Sequence, residues 1–352
     1  MKQKHLAMRL LNHPKIMKTA VLALAFAPFL FLALNAQQAK PQQAKPQREK
    51  DAEFDQPIKV DVEIVNLFCS VRTKQGGLLP NLTKDDFDLA EDSKPQTIKY
   101  FTRETDLPLT IGLLVDVSGS QRNLIEIERR AASSFFSSVL KKKDVAFLIS
   151  FGTDTELLQD ITGTPRLLQD GLGRLRLNAG YSGPTSGPVP TMSKPRGTVL
   201  YDAVYVAAND MLAKEAGRKV MVLITDGEDQ GSRETEKQAI EAAQKADTII
   251  YSILYVDRQF YGGGGFGYSG EGTLKKMSEE TGGRLFRVDR KQSLELIFEQ
   301  LQQEMRSQYA IGYTPTNPQR DGGFRKIDLK TKEKDQKVQV RKGYYATAME
   351  RR

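Results

Sequence analysis

Between residues 105 and 304, near-continuous apolar runs alternate with stretches whose apolar residues recur at helical spacing, and this alternation restricts the fold more than any other feature. Leu109 to Val115 is almost wholly apolar, and Leu124, Ile127, Ala131, Phe135 and Val139 then follow three or four residues apart. Val145 to Phe151 is apolar again. Val199 to Leu212 reads as a helix, Lys219 to Thr225 as a strand, Glu234 to Ala246 as a helix and Thr248 to Val256 as a strand. Leu274 to Glu280 and Leu294 to Met305 supply two more helices around a strand at Arg284 to Val288. Strands with no polar face must be covered on both sides, so the expected fold class is α/β, a doubly wound and mainly parallel sheet.

The flanks have a different rhythm. Ile58, Val60, Val62 and Ile64 share one parity, and Val65, Leu67, Cys69 and Val71 share the other, which suggests a bulge or a strand that changes partners. Gln75-Gly76-Gly77 reads as a turn and Thr97 to Phe101 as a further strand. Tyr309-Ile311-Tyr313, Ile327-Leu329 and Val338-Val340 alternate again, separated by turn clusters at 321–323 and 334–336. Each flank is too short to bury a core alone, so 56–104 and 305–348 are expected to form one small all-β sandwich into which 105–304 is inserted.

The N-terminus carries the charge. Lys2, Lys4, Arg9, Lys15, Lys18, Lys40, Lys45, Arg48 and Lys50 face Glu49 alone, which accounts for the formal +8, and from Asp51 onward the charges balance. A neutral body has no electrostatic footprint for nucleic acid, so none is expected as a partner. Thr19 to Ala36 is apolar and follows a basic stretch, as in a secretory signal or an N-terminal anchor, so 1–36 is assigned to export. Leu34 is a poor small-residue cleavage signal. The destination is therefore periplasmic, secreted or held at the inner membrane by an uncleaved segment, the one membrane contact expected. Residues 37–55, with the repeated Gln-Gln-Ala-Lys-Pro, read as a solvated linker.

Chemistry is narrowed by what is scarce. His5 and His13 are the two histidines, both in the basic segment, and Cys69 is the single cysteine. Histidine-based catalysis, His- or Cys-ligated zinc and intrachain disulfides are thereby excluded from the body of the protein. Cys69 reads as a buried strand residue. A bound metal would be held by oxygen.

In doubly wound folds the ligand crevice lies beyond the carboxyl ends of the strands. The first strand runs into Asp116-Val117-Ser118-Gly119-Ser120, and the strand at Lys219 to Thr225 runs into Asp226-Gly227-Glu228-Asp229. Thr198 precedes a helix and can project from the same edge, whereas Glu228 and Asp229 read as solvated. Five oxygen side chains, on Asp116, Ser118, Ser120, Thr198 and Asp226, suit a hard divalent cation, Mg²⁺ first, with Mn²⁺ or Ca²⁺ as alternatives.

At these residues the chain resembles the von Willebrand factor type A domain, whose metal-ion-dependent adhesion site (MIDAS) has the pattern D-x-S-x-S, a distant Thr and a distant Asp. Position by position the match is Asp116, Ser118, Ser120, Thr198 and Asp226, with no departure. VDVSGS, GTVLYDAV, VLITDGED, YAIGY and KGYY look more narrowly like exported bacterial proteins of that kind, over roughly 55 to 345. The resemblance implies that Ser118 and Ser120 bind the metal directly, that Thr198 does so when ligand is bound, and that Asp116 and Asp226 act largely through water. It implies a cell-envelope protein-binding module, for adhesion or complex assembly. There the cation captures an Asp or Glu side chain of a protein partner, and the chain is not an enzyme. The oligomeric state is unknown from sequence.

Other readings compete. A metal-independent structural envelope protein would use the β-flanks as its interface. A Mg²⁺-dependent phosphohydrolase would explain Asp116 and the Asp-Gly-Glu-Asp segment, but it needs a second carboxylate where Ser118 stands. Gly265 to Gly270 matches G-x-G-x-x-G, yet eight residues separate it from Val256, too far for the tight turn that cradles a dinucleotide. Tyr181, Tyr261, Phe266 and Tyr268 lie on glycine-rich loops of the same edge and could frame an acidic ligand.

Overall fold

The all-apolar runs become the central strands, because only a strand covered on both faces accommodates such composition. The structure is a computed structural model that describes residues 64–104, 107–178, 197–257 and 270–346. In chain order these carry β1 (Val65–Thr73), β2 (Phe87–Glu91), β3 (Lys94–Pro95), β4 (Ile98–Glu104) and β5 (Leu109–Asp116). Then come α1 (Ile125–Val139), β6 (Val145–Phe151), β7 (Thr155–Thr162), α2 (Pro165–Leu172), α3 (Leu200–Val206), β8 (Arg218–Thr225) and α4 (Glu236–Lys245). The remainder is β9 (Thr248–Leu254), α5 (Gly270–Thr281), β10 (Leu285–Arg287), α6 (Leu294–Arg306), β11 (Gln308–Tyr313), β12 (Phe324–Thr331), β13 (Gln336–Gln339) and β14 (Gly343–Tyr345).

Six strands form one sheet in the order β10-β9-β8-β5-β6-β7, all parallel except the edge strand β7. Leu109, Ile111, Leu113 and Val115 of β5 face the helices α1, α2 and α6, and Leu114 faces α3, α4 and α5. Gly112 is required between them, since a Cβ there would lie 2.3 Å from the Phe147 ring. From β5 the chain moves to β6 on one side and later to β8, β9 and β10 on the other, so the order reverses between β5 and β8. The loops leaving those two strands therefore part and open a crevice.

Within the α/β part, sequence periodicity misses two elements. β7 is an edge strand in which Leu158 is the one fully buried residue, so it carries no alternation to detect, and α2 packs behind it. The stretch read as one helix from Val199 to Leu212 leaves α geometry after Val206. It continues as a π turn at Ala207–Met211 and a 3₁₀ turn at Leu212–Lys214.

The flanks build two antiparallel sheets, β13-β1-β11-β4 and β14-β12-β2-β3, each with strands from both ends of the chain. Their shared core holds Leu67, Cys69, Val71, Phe87, Leu89, Ile311, Ile327 and Leu329, so the sandwich split around the α/β domain is present. β1 lies between two neighbours, pairing with β11 from Val65 to Cys69 and with β13 from Ser70 to Thr73, and the parity change expected at Ile64 to Val65 falls at the edge of the described residues. Residues 58–63 lie outside the described residues. The paired tyrosines of the C-terminal motifs gain a role here: the Tyr313 and Tyr344 hydroxyls donate to the buried Glu91 carboxylate at 2.6 and 2.9 Å.

The two parts join where α6 enters β11 through Ser307 alone. Glu304, fully buried on the last turn of α6, accepts from Ser70 Oγ at 3.1 Å and Arg284 Nε at 2.7 Å, and also pairs with Arg72. Buried Arg218, at the start of β8, donates to the carbonyl of Met305.

Cys69 is buried as the sequence suggests, and burial pushes its thiol well above the ordinary cysteine value. It should therefore resist alkylation by iodoacetamide in the folded protein and label fully in denaturant. Labelling at equal rates in both states would contradict this burial. Among the described residues no helix is long and apolar enough to cross a membrane, and Thr19 to Ala36 lies outside them.

Candidate metal centre

β5 and β8 are hydrogen-bonded neighbours, with Val115 opposite Ile224, so the residues that follow them emerge side by side. Asp116 and Asp226 are both fully buried at that point. Asp116 accepts from the Ser118 backbone N–H at 2.9 Å through Oδ1 and from Thr225 Oγ at 2.6 Å through Oδ2. Asp226 accepts from the Glu228 N–H at 3.1 Å. Burial, and then the neighbouring charge of Asp226, push the Asp116 carboxyl up to about 7 against the pull of those hydrogen bonds. Two carboxylates crowded in a buried place favour any cation that enters.

The ordinary reading of Ser118 and Ser120 would be helix capping. They do not cap: Ser118 precedes a 3₁₀ turn at Gly119–Gln121 without a side-chain cap bond, and α1 starts beyond it from Leu124. Instead the Ser118 and Ser120 hydroxyls lie 3.1 Å apart. They line a cleft of about 160 Å³ with Thr198, Thr153, Asn178, Glu228 and Gln230.

Thr198 reaches this edge by close backbone packing. Its carbonyl accepts from the N–H groups of Gln230 and Gly231 at 3.0 and 3.1 Å, and Val199 N–H donates to Gly152 at the end of β6. A Cβ on Gly231 would lie 2.6 Å from the Gly197 carbonyl oxygen. On the opposite side Gly227, at φ +82°, lies so close to Gly270 that a Cβ on either would meet backbone within 2.5 Å. The last glycine of the G-x-G-x-x-G run thus serves helix packing against the Asp226 turn.

All five sequence-predicted residues are thereby gathered at one end of the sheet, between β5 and β8. Their oxygen-only chemistry fits a hard divalent cation, and the two uncapped hydroxyls face the open side. Asp229 departs from expectation. Rather than being solvated, it accepts from the Tyr201 N–H at the start of α3 and from Ser232 Oγ at 2.6 Å, which fixes the loop carrying the site. Tyr181, Tyr261, Phe266 and Tyr268 lie outside the described residues. Sequence reasoning missed Glu128, a fully buried carboxylate on the inward face of α1 that feels the charges of Asp116 and Asp226. The one available signal was an acid at the helical spacing of the buried face.

A larger groove of about 550 Å³ lies at the other end of the sheet, between the β1-β11-β4 face and the α/β domain, lined by Tyr100, Leu107, Lys219 and Asp247 among others. None of the five residues borders it.

Residues 190–300 match the von Willebrand factor type A domain family. The fold is of the type A kind, a six-stranded mixed sheet between helices, with antiparallel sheets added. No curated protein matches the sequence. Among solved structures, an aerotolerance-related membrane protein of Bacteroides fragilis is 17% identical over 56% of this chain and 98% of its own, with a TM-score of 0.40. BatB of Bacteroides thetaiotaomicron is 18% identical over 56% of this chain and 97% of its own, with a TM-score of 0.40. Proximal thread matrix protein 1 from the mussel byssus, with a zinc-occupied MIDAS motif, is 10% identical over 61% of this chain and 49% of its own, with a TM-score of 0.44.

Proposed function

We propose that this chain is a divalent-cation-dependent protein-binding module of the bacterial cell envelope, in which Asp116, Ser118, Ser120, Thr198 and Asp226 hold Mg²⁺. One observation carries the reading: two serine hydroxyls 3.1 Å apart, free of capping duty, open on a cleft above two fully buried carboxylates at the point where the strand order reverses. The cation, when bound, would supply an electrophilic site for a carboxylate from a protein partner. Asp116 and Asp226 offset its charge, the hydroxyls of Ser118, Ser120 and Thr198 give it neutral oxygens, and Glu228 and Gln230 border the approach. The proposed action is recognition rather than turnover, because Ser118 occupies the place a phosphohydrolase needs for its general acid. Export rests on the basic and apolar segment at 1–36.

The test is affinity capture from envelope extract in Mg²⁺ and in EDTA, with Asp116→Ala and Thr198→Ala as controls. A partner should be retained in Mg²⁺, released by EDTA and missed by both variants. Retention indifferent to EDTA and to both substitutions would overturn the reading in favour of a metal-independent structural role.

A further inference from the structure

The buried face of α1 consists of Ile125, Glu128, Ala131, Ala132, Phe135, Phe136 and Val139. Six of these seven are apolar and pack on the sheet. Glu128 is the exception. Its side chain is fully buried, and neither carboxylate oxygen has a hydrogen-bond partner among the described residues. Burial pushes its carboxyl well above the ordinary range, and Asp116 and then Asp226 add to the effect. Gln121, on the 3₁₀ turn just before α1, is also fully buried, and its side-chain oxygen is likewise without a partner among the described residues.

An orphaned carboxylate in such a place is costly, and a leucine or methionine would fill the same space at less expense of stability. Glu126 and Arg129 on the same helix pair with each other at the surface, so α1 has no shortage of outward positions for an acid. Glu128 stands instead on the inward row, close enough to Asp116 and Asp226 for their charges to act on it. A buried group that is unfavourable without a cation and lies within electrostatic reach of two carboxylates becomes favourable once a cation enters.

Resting on the metal-binding reading above, we infer that Glu128 is a third carboxylate of the cation site, supporting the ion from the α1 side behind Asp116 and Asp226. It is a positioning residue. It raises the negative charge around the ion beyond what the five residues supply, and it holds the ion's surroundings from the side a partner cannot reach. Carboxylates that support a metal from behind its ligands typically change affinity by about 10- to 100-fold.

The test measures Mn²⁺ and Tb³⁺ binding by the full chain and its variants, by calorimetry and by Tb³⁺ luminescence. Glu128→Gln preserves shape and removes the charge, and Glu128→Met replaces the group with an apolar side chain of similar length. Glu128→Met should unfold at a higher temperature than the wild type in EDTA, and both variants should bind Mn²⁺ about 10- to 100-fold more weakly. Tb³⁺ affinity should fall further than Mn²⁺ affinity, because attraction to a carboxylate scales with the ion's charge, an effect that a packing defect would not produce. Glu126→Gln, at the exposed position, should match the wild type. If the wild type binds Mn²⁺ and both Glu128 variants bind it equally well, the inference is overturned while the site stands. A wild type that binds neither ion removes the site itself.

Discussion

Asp116→Asn should abolish the response to divalent cations while making the cation-free protein more stable above neutral pH. In the folded chain the Asp116 carboxyl is raised to about 7, chiefly by burial and then by Asp226, against an ordinary aspartate value of 3.8. The folded state therefore holds a proton that the unfolded chain has released. Stability from this group is complete below about pH 4 and is lost as pH rises through about 7, a change on the order of 3–4 kcal/mol. In EDTA the wild type should accordingly melt at a lower temperature at pH 8 than at pH 5, and Asp116→Asn should flatten that slope. Saturating Mg²⁺ offsets most of this loss in the wild type, since a ligand at one hundred times its dissociation constant adds about 2.7 kcal/mol. At roughly 2–4 °C per kcal/mol that is a rise of about 5–10 °C at pH 8, which the variant should lack. Thermal unfolding at the two pH values, with and without Mg²⁺, checks all four expectations. A variant that still gains several degrees from Mg²⁺ would remove Asp116 from the site.

The second large effect is expected far from the cleft. Glu304→Leu removes the acceptor shared by Ser70, Arg72 and Arg284 and leaves two guanidinium groups, 16% and 27% exposed, without their counter-charge. Breaking a pair of this kind from one side typically costs about 3–5 kcal/mol, so the melting temperature should drop by roughly 6–12 °C or more. The exposed pair Lys74–Asp335 is the control: Asp335→Ala should leave the melting temperature unchanged, as surface pairs are worth little. Equal melting of Glu304→Leu and wild type would show that the α6 to β1 junction is not held by this cluster.

Much of the fold and of the site is legible in the sequence, for a specific reason. A strand buried on both faces leaves no room for a charge, so an aspartate directly after such a run must lie at its end. That argument locates Asp116 and Asp226, and Ser118 and Ser120 follow from their turn. The sandwich is legible because Val65, Leu67, Cys69 and Val71 keep strict alternation, and the first three meet Tyr313, Ile311 and Tyr309 in register. Glu128 is easily passed over, because apolar spacing selects Ile127 for the inward row, whereas the helix turns Glu128 inward and leaves Ile127 half-buried. The acid at that position breaks the local rule, as functional positions do. Asp229 escapes for the opposite reason: its partners, Tyr201 and Ser232, are set by tertiary approach and leave no periodic trace.

The interleaving of the two chain ends sets an order of events during biogenesis. Strand β1 pairs with β11 and β13, and Glu91 meets Tyr313 across a sequence separation of 222. While the ribosome is still making the central sheet, the first β-strands are an unmatched, sticky half, and the closing half is synthesised only after that sheet. The central sheet has its own core and local crossovers, so it can form first and bring the two ends together; the sandwich then shuts around its base as the slow, non-local step. Chains cut short after α6 would leave the early half without its partner strands and would be expected to aggregate.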